Sequence, residues 1–150
     1  MNQPTNQVPA LCLTRVVPGS QERVFAAWTT PEAVKAWFGP GDCEVVDARI
    51  DLRVGGKYSI VLATERLGQF SVSGQYKEVQ PPEKLVYTWR WEGSGELTDA
   101  TSLVTVEFVG AGSGTEVRLT HEQLPSLESR DNHSLGWKAA LDNFVKYVAS

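Results

Sequence analysis

The chain is poor in the residues that build metal and redox chemistry: of 150 residues only two are His, two Cys and one Met. Two His and two Cys cannot make a zinc site of the usual Cys/His spacing, so no metal is expected, and no cofactor either. Cys12 and Cys43 are too few for a disulfide framework; both are expected as small buried hydrophobes in a cytoplasmic protein. Basic clusters are missing as well. Lys and Arg number 14 against 18 Asp and Glu, a net charge of −4. Nucleic acid, which demands clustered cations, is excluded as a partner. No stretch approaches the ~18 apolar residues of a membrane span. No positive segment followed by an apolar run opens the sequence as a secretory leader would.

The excess is aromatic: five Trp, five Phe and four Tyr, in a chain that is 41% hydrophobic. Length and composition suit one soluble domain with a sizeable core. Residues 1–7 read as a polar tail and 8–150 as the domain.

Val8–Val17 is an apolar, β-branched run and predicts a strand. Ser20 then caps a helix with Val24, Phe25 and Trp28 on one side. Thr30-Pro31-Glu32 starts a second helix, Thr30 as N-cap and Pro31 at the first helical position, stopped by Phe38-Gly39-Pro40-Gly41. Val46, Ala48, Ile50 and Leu52 alternate with polar residues as a half-buried strand. Gly55-Gly56, both expected at positive φ, turn the chain into Lys57–Thr64. Strands follow at Gln69–Val79, Leu85–Trp91, Thr101–Phe108 and Thr115–Glu122. Their short connections argue for antiparallel pairing. From Ser129 to Ala149 the period returns to helix: His133, Trp137, Ala140, Leu141, Phe144 and Val148 share a face, opposite Lys138, Asp142 and Lys146. The order β-α-α-β6-α indicates α+β, a curved antiparallel sheet wrapped around a long C-terminal helix.

That order and several local motifs resemble the START-like (SRPBCC) helix-grip superfamily. Within it the chain is most similar to the family related to the C-terminal domain of the activator of the heat-shock-protein-90 ATPase. The resemblance rests on Val24-Phe25-Ala26-Ala27-Trp28 before Thr30-Pro31-Glu32, on Trp37-Phe38-Gly39-Pro40, and on Asp51-Leu52-Arg53-Val54-Gly55-Gly56. It continues through Gly74 with Tyr76, Glu78-Val79, Pro81-Pro82-Glu83-Lys84-Leu85 and Tyr87-Thr88-Trp89. It closes with Gly114-Thr115, Leu119-Thr120-His121, and His133 with Gly136-Trp137. It spans roughly Leu11 to Tyr147 and implies a helix-grip fold holding an apolar or aromatic small molecule between sheet and last helix. It also implies that some relatives are cyclases or lyases and that the eukaryotic activator binds a chaperone. The activator's separate N-terminal domain, which makes much of that contact, has no room in 150 residues.

The pocket so implied would be lined by Trp28, Trp37, Tyr58, Phe70, Trp89, Trp91, His121, Trp137, Leu141 and Phe144. Its ligand would be lipid-like or polyketide-like. His121 alternates with Val117 and Leu119 and so points to the apolar face, either as a satisfied core group or as a general acid/base. The first reading gives a binding protein without catalysis; the second gives a cyclase- or lyase-like enzyme; a third is a chaperone-associated module. His133 is expected to pack or cap. Arg53 is expected to pair with Asp51 or Glu78, Glu107 to face away from Val104, Val106 and Phe108, and Arg90 to need a partner if it points inward. The segment Glu92–Ala100 is either a gate over the pocket or a hairpin tip, and the edge strand Val8–Val17 could support a homodimer.

Overall fold

The fold is described from a computed structural model, covering residues 8–39, 43–66, 68–92 and 101–150. The expected tail over residues 1–7 lies outside the described residues, and so does all but Glu92 of the segment Glu92–Ala100, read as a gate or a hairpin tip. The chain runs β1 (Leu11–Pro18), α1 (Gln21–Thr29), α2 (Pro31–Trp37), β2 (Glu44–Ile50), β3 (Lys57–Thr64) and β4 (Gly68–Gln80). It continues through β5 (Lys84–Glu92), β6 (Ser102–Ala111), β7 (Gly114–Glu122) and α3 (Leu127–Ala149). One antiparallel sheet of seven strands, in the order β1-β7-β6-β5-β4-β3-β2, curves around α3. Consecutive strands are neighbours from β2 to β7, while β1 crosses over the two short helices to pair with β7. The fold is therefore α+β helix-grip, as the pattern of elements predicts.

Local chemistry sets most element ends. Ser20 Oγ accepts from Arg23 N at 3.2 Å and Ser126 Oγ from Ser129 N at 3.0 Å, each satisfying an orphan donor of a first turn. Thr30 departs from its expected role. It stands where α1 ends and α2 begins, and its hydroxyl donates back to the Ala26 carbonyl at 2.7 Å instead of capping α2. β1 starts at Leu11 rather than Val8 because Leu11 already pairs with His121, one residue before β7 ends.

Two expected faces are corrected by backbone geometry. The β2–β3 register shifts between Val45 and Asp47, so Val45 packs on the core and Val46 turns outward, 45% exposed. Leu52, past the end of β2, is 37% exposed. In the turn that follows, only Gly55 has positive φ, at +86°. Gly56 is needed for a different reason: a Cβ there would sit 2.1 Å from the Asp51 carbonyl oxygen. Arg53 pairs with Asp51 at 2.9 Å, while Glu78 lies 3.7 Å from Lys84. Glu107 and Arg90 are both exposed. Neither Cys12 nor Cys43 is in a disulfide, but Cys12 is exposed because it alternates with buried Leu11 on the edge strand, and Cys43 is only half-buried.

The core lies between the concave face of the sheet and the three helices. Trp28, Trp37 and Phe144 form its centre, with Phe144 4.7 Å from Trp37 and 5.0 Å from Trp28 between ring centroids. Edge-to-face geometry of this kind adds to the area buried. At the far end of α3, Arg23 Nη2 donates to the Val148 carbonyl at 2.7 Å and ties α1 to the last helical turn.

Candidate functional site

Alternation along β5 sends Tyr87, Trp89 and Trp91 to the concave side, and the helical period of α3 brings His133, Gly136, Trp137 and Ala140 to meet them. Between the two elements lies a cavity of about 180 Å³. Trp89 and Trp91 form one wall; Asn132, His133, Gly136, Trp137 and Ala140 of α3 form the other. Leu62 and Phe70 close it from β3 and β4, and Phe38 and Cys43 close it beyond the end of α2. Asn132 is exposed and Trp91 and His133 are half-buried, so the mouth lies at this end. A second void, of only about 20 Å³, lies behind Phe38 and Trp89 among Trp28, Trp37, Tyr58 and Tyr76. That is room for about one water molecule.

The ten residues expected at the pocket are thus divided. Phe70, Trp89, Trp91 and Trp137 line the larger cavity; Trp28, Trp37 and Tyr58 line the small void. Leu141 and Phe144 are fully buried core residues lining neither, and His121 stands behind Trp89 and Trp137. The residues that sequence reasoning missed are Phe38, Cys43, Leu62, Asn132, His133, Gly136 and Ala140. Those of α3 carried a signal, since 133, 136, 137 and 140 form one helical stripe. Phe38 reads from the sequence as part of a helix-breaking cluster and of a family motif, not as a lining residue.

The polar chemistry of the site is carried by two imidazoles. His133 Nδ1 lies 2.7 Å from the Ser129 carbonyl, which can only accept, so Nδ1 bears the proton. Its Nε2 then accepts from two indoles, Trp91 Nε1 at 2.9 Å and Trp89 Nε1 at 3.3 Å. His121 is the opposite tautomer. Its Nδ1 accepts from Trp137 Nε1 at 3.1 Å, which leaves the proton on Nε2, 2.7 Å from Ser102 Oγ. Ser102 in turn donates to the Trp89 carbonyl at 3.3 Å. The other two indoles are also satisfied, Trp28 by the Tyr87 hydroxyl at 3.2 Å and Trp37 by the Ala27 carbonyl at 2.9 Å.

Both histidines are held neutral. Burial, helped by the nearby His133, pushes His121 down to about 3. Burial also lowers His133, opposed in part by its hydrogen bond to the Ser129 backbone. Protonating either ring would bring a new N–H against an indole N–H. Neither imidazole has a free nitrogen to offer a substrate. Burial likewise raises the Tyr58, Tyr76 and Tyr87 phenols, which stay un-ionised. Among the described residues no group of His, Cys, Asp and Glu could hold a metal ion, and no helix is long and apolar enough to cross a membrane.

Solved structures similar to this chain share the whole architecture. A protein of Chromobacterium violaceum is 27% identical, with 95% of this chain and 99% of that one covered and a TM-score of 0.81. The Silicibacter pomeroyi protein, which carries the family name, is 26% identical over 94% of this chain and 98% of its own, with a TM-score of 0.80. The solution structure of an Aeromonas hydrophila relative, 24% identical over 94% and 92%, matches in fold with a TM-score of 0.77. Among curated proteins, none matches this chain. The family model described as "Activator of Hsp90 ATPase homolog 1-like protein" matches residues 18–149. With the helix-grip sheet, the long α3 and a match over nearly its full length, the chain belongs to this family within the START-like (SRPBCC) superfamily.

Proposed function

We propose that the protein binds a hydrophobic or aromatic small molecule in the cavity between β5 and α3, without chemically transforming it. The observation that carries this reading is a 180 Å³ space walled mainly by Trp, Phe and Leu, whose indole donors are already satisfied by His133 in the wall and His121 behind it. Concave, mostly apolar pockets are where small ligands usually bind. Gly136 adds support. It interrupts the middle of α3, yet a Cβ there would meet nothing within 4 Å, so the glycine leaves open space rather than avoiding a clash. The commitment of both imidazoles to indole partners favours holding a molecule over acid/base turnover. The exposed thiol of Cys12 favours a reducing, cytoplasmic setting.

A thermal-shift and Trp-fluorescence screen with apolar compounds tests the reading. Ligands are expected to raise the melting temperature and quench or shift emission, because Trp89, Trp91 and Trp137 line the cavity. Silence across a broad apolar panel would remove the proposal.

A further inference from the structure

Resting on that binding role, we infer that the ligand is a compact, uncharged arene needing no hydrogen bond, and that His133 sets this selectivity. Size argues first. An apolar cavity of about 150 Å³ accepts benzene, and 180 Å³ adds little beyond a substituent or a small fused ring. A long acyl chain or a multi-ring polyketide would have to extend out through the mouth.

The wall argues second. Among the described lining residues none is charged. A carboxylate entering would shed its hydration shell with no cation to replace it. Apart from the amide of Asn132, which stands exposed at the mouth, the donors this wall would ordinarily offer to a carbonyl or carboxylate are the indole N–H groups of Trp89, Trp91 and Trp137. Each is turned to a histidine nitrogen. What faces the ligand is therefore ring surface, with Trp89 and Trp137 5.1 Å apart between centroids. His133 silences two of the three donors with a single lone pair. Its removal would leave Trp89 and Trp91 available to a ligand's acceptor.

Fluorine NMR of fluorobenzene, 4-fluoroacetophenone, 4-fluorobenzoate and a fluorinated dodecanoate reads each ligand directly. Wild-type protein is expected to bind fluorobenzene saturably, with Kd on the order of 0.1–1 mM, and 4-fluorobenzoate at least tenfold more weakly. Ala140→Leu, which places an isobutyl group in the cavity, is expected to abolish fluorobenzene binding and so assigns the site. His133→Leu is expected to shift the ratio of 4-fluoroacetophenone to fluorobenzene affinity by about tenfold toward the ketone. His133→Gln, whose amide oxygen can accept one indole, should fall between. Should His133→Leu not fold, His133→Gln carries the test alone, with a smaller shift toward the ketone expected. Site-specific preference for the benzoate or dodecanoate would overturn the ligand class while leaving the binding role intact. An unchanged ratio in His133→Leu, or in His133→Gln where the Leu variant does not fold, would overturn the part given to His133. No binding by any of the four would overturn the class and the binding role together.

Discussion

The rings of His121 and His133 lie 4.9 Å apart and carry their protons on opposite nitrogens, each neutral and each accepting from tryptophan. The arrangement makes the fold sensitive to acid. A histidine whose folded pKa is depressed leaves stability intact above its unfolded value of about 6.5 and takes it away as pH falls below that value. For His121 the window extends down to about pH 3. Within it the unfolded chain binds a proton that the folded chain refuses, which costs about 1.4 kcal/mol per pH unit. His133 acts in the same direction. Denaturation midpoints measured between pH 7 and pH 4 should fall, and the slope should be shallower in His121→Phe. A parallel slope in that variant would mean that carboxylates alone set the acid response.

His133 is also a structural clamp between α3 and β5. Truncation to Ala leaves two indole donors without their acceptor, each costing about 1–3 kcal/mol where water cannot replace it. Trp91 is half-buried, so the combined loss is expected at about 2–4 kcal/mol. Urea denaturation checks this, and His133→Gln should recover part of the loss.

Core and cavity should separate under mutation. Phe144 is fully buried against Trp28 and Trp37 and lines neither void. Phe144→Ala is expected to cost about 3–5 kcal/mol while leaving ligand affinity in the surviving folded fraction near that of wild type. Trp91→Ala should do the reverse, with a smaller loss of stability and at least tenfold weaker binding. Paired denaturation and titration experiments distinguish the two.

Two glycines should respond oppositely to alanine. Gly136→Ala replaces a helix-interior glycine where nothing obstructs a methyl, so stability should rise by about 0.5–1 kcal/mol. The same methyl narrows the cavity and should weaken ligand binding. Gly56→Ala drives a Cβ to within 2.1 Å of the Asp51 carbonyl oxygen and should destabilise the β2–β3 turn by about 2 kcal/mol or more. Thermal melts of both variants decide the signs.

Much of the fold was legible because periodicity is local. Apolar alternation marked the strands from β3 to β7, and the stripe through Trp137, Leu141 and Phe144 marked α3. Register was not legible at Val46, because one extra residue in β2 reverses which side chains face inward and no local pattern announces it. At the site, the Trp residues could be assigned to the concave face but not to one cavity or the other. That division depends on Phe38 and Trp89 standing between the two voids. His133 escaped for a related reason. A histidine near the start of a helix reads as packing or capping until Trp91 and Trp89, 42 and 44 residues earlier in the chain, present two indole donors to one nitrogen. The scarcity of histidine and the abundance of tryptophan are thus two sides of one arrangement, since the pair of imidazoles accepts from three of the five indoles.

The pairing of β1 with β7 has a consequence for how the molecule is made. Leu11 lies opposite His121 and Pro18 opposite Gly114, so β1 leaves the ribosome about a hundred residues ahead of its partner. The hairpins from β2 to β6 can form in the order of synthesis, each beside the strand before it. β1 and the two helices behind it must wait. Joining the ends of so long a loop costs entropy that only β7 and α3 can offset. Synthesis halted before Gly114 should therefore yield a meander with an unclosed edge and exposed aromatics, a species prone to aggregate. Completion of the last strand and helix would then act as a single late locking step for the whole domain.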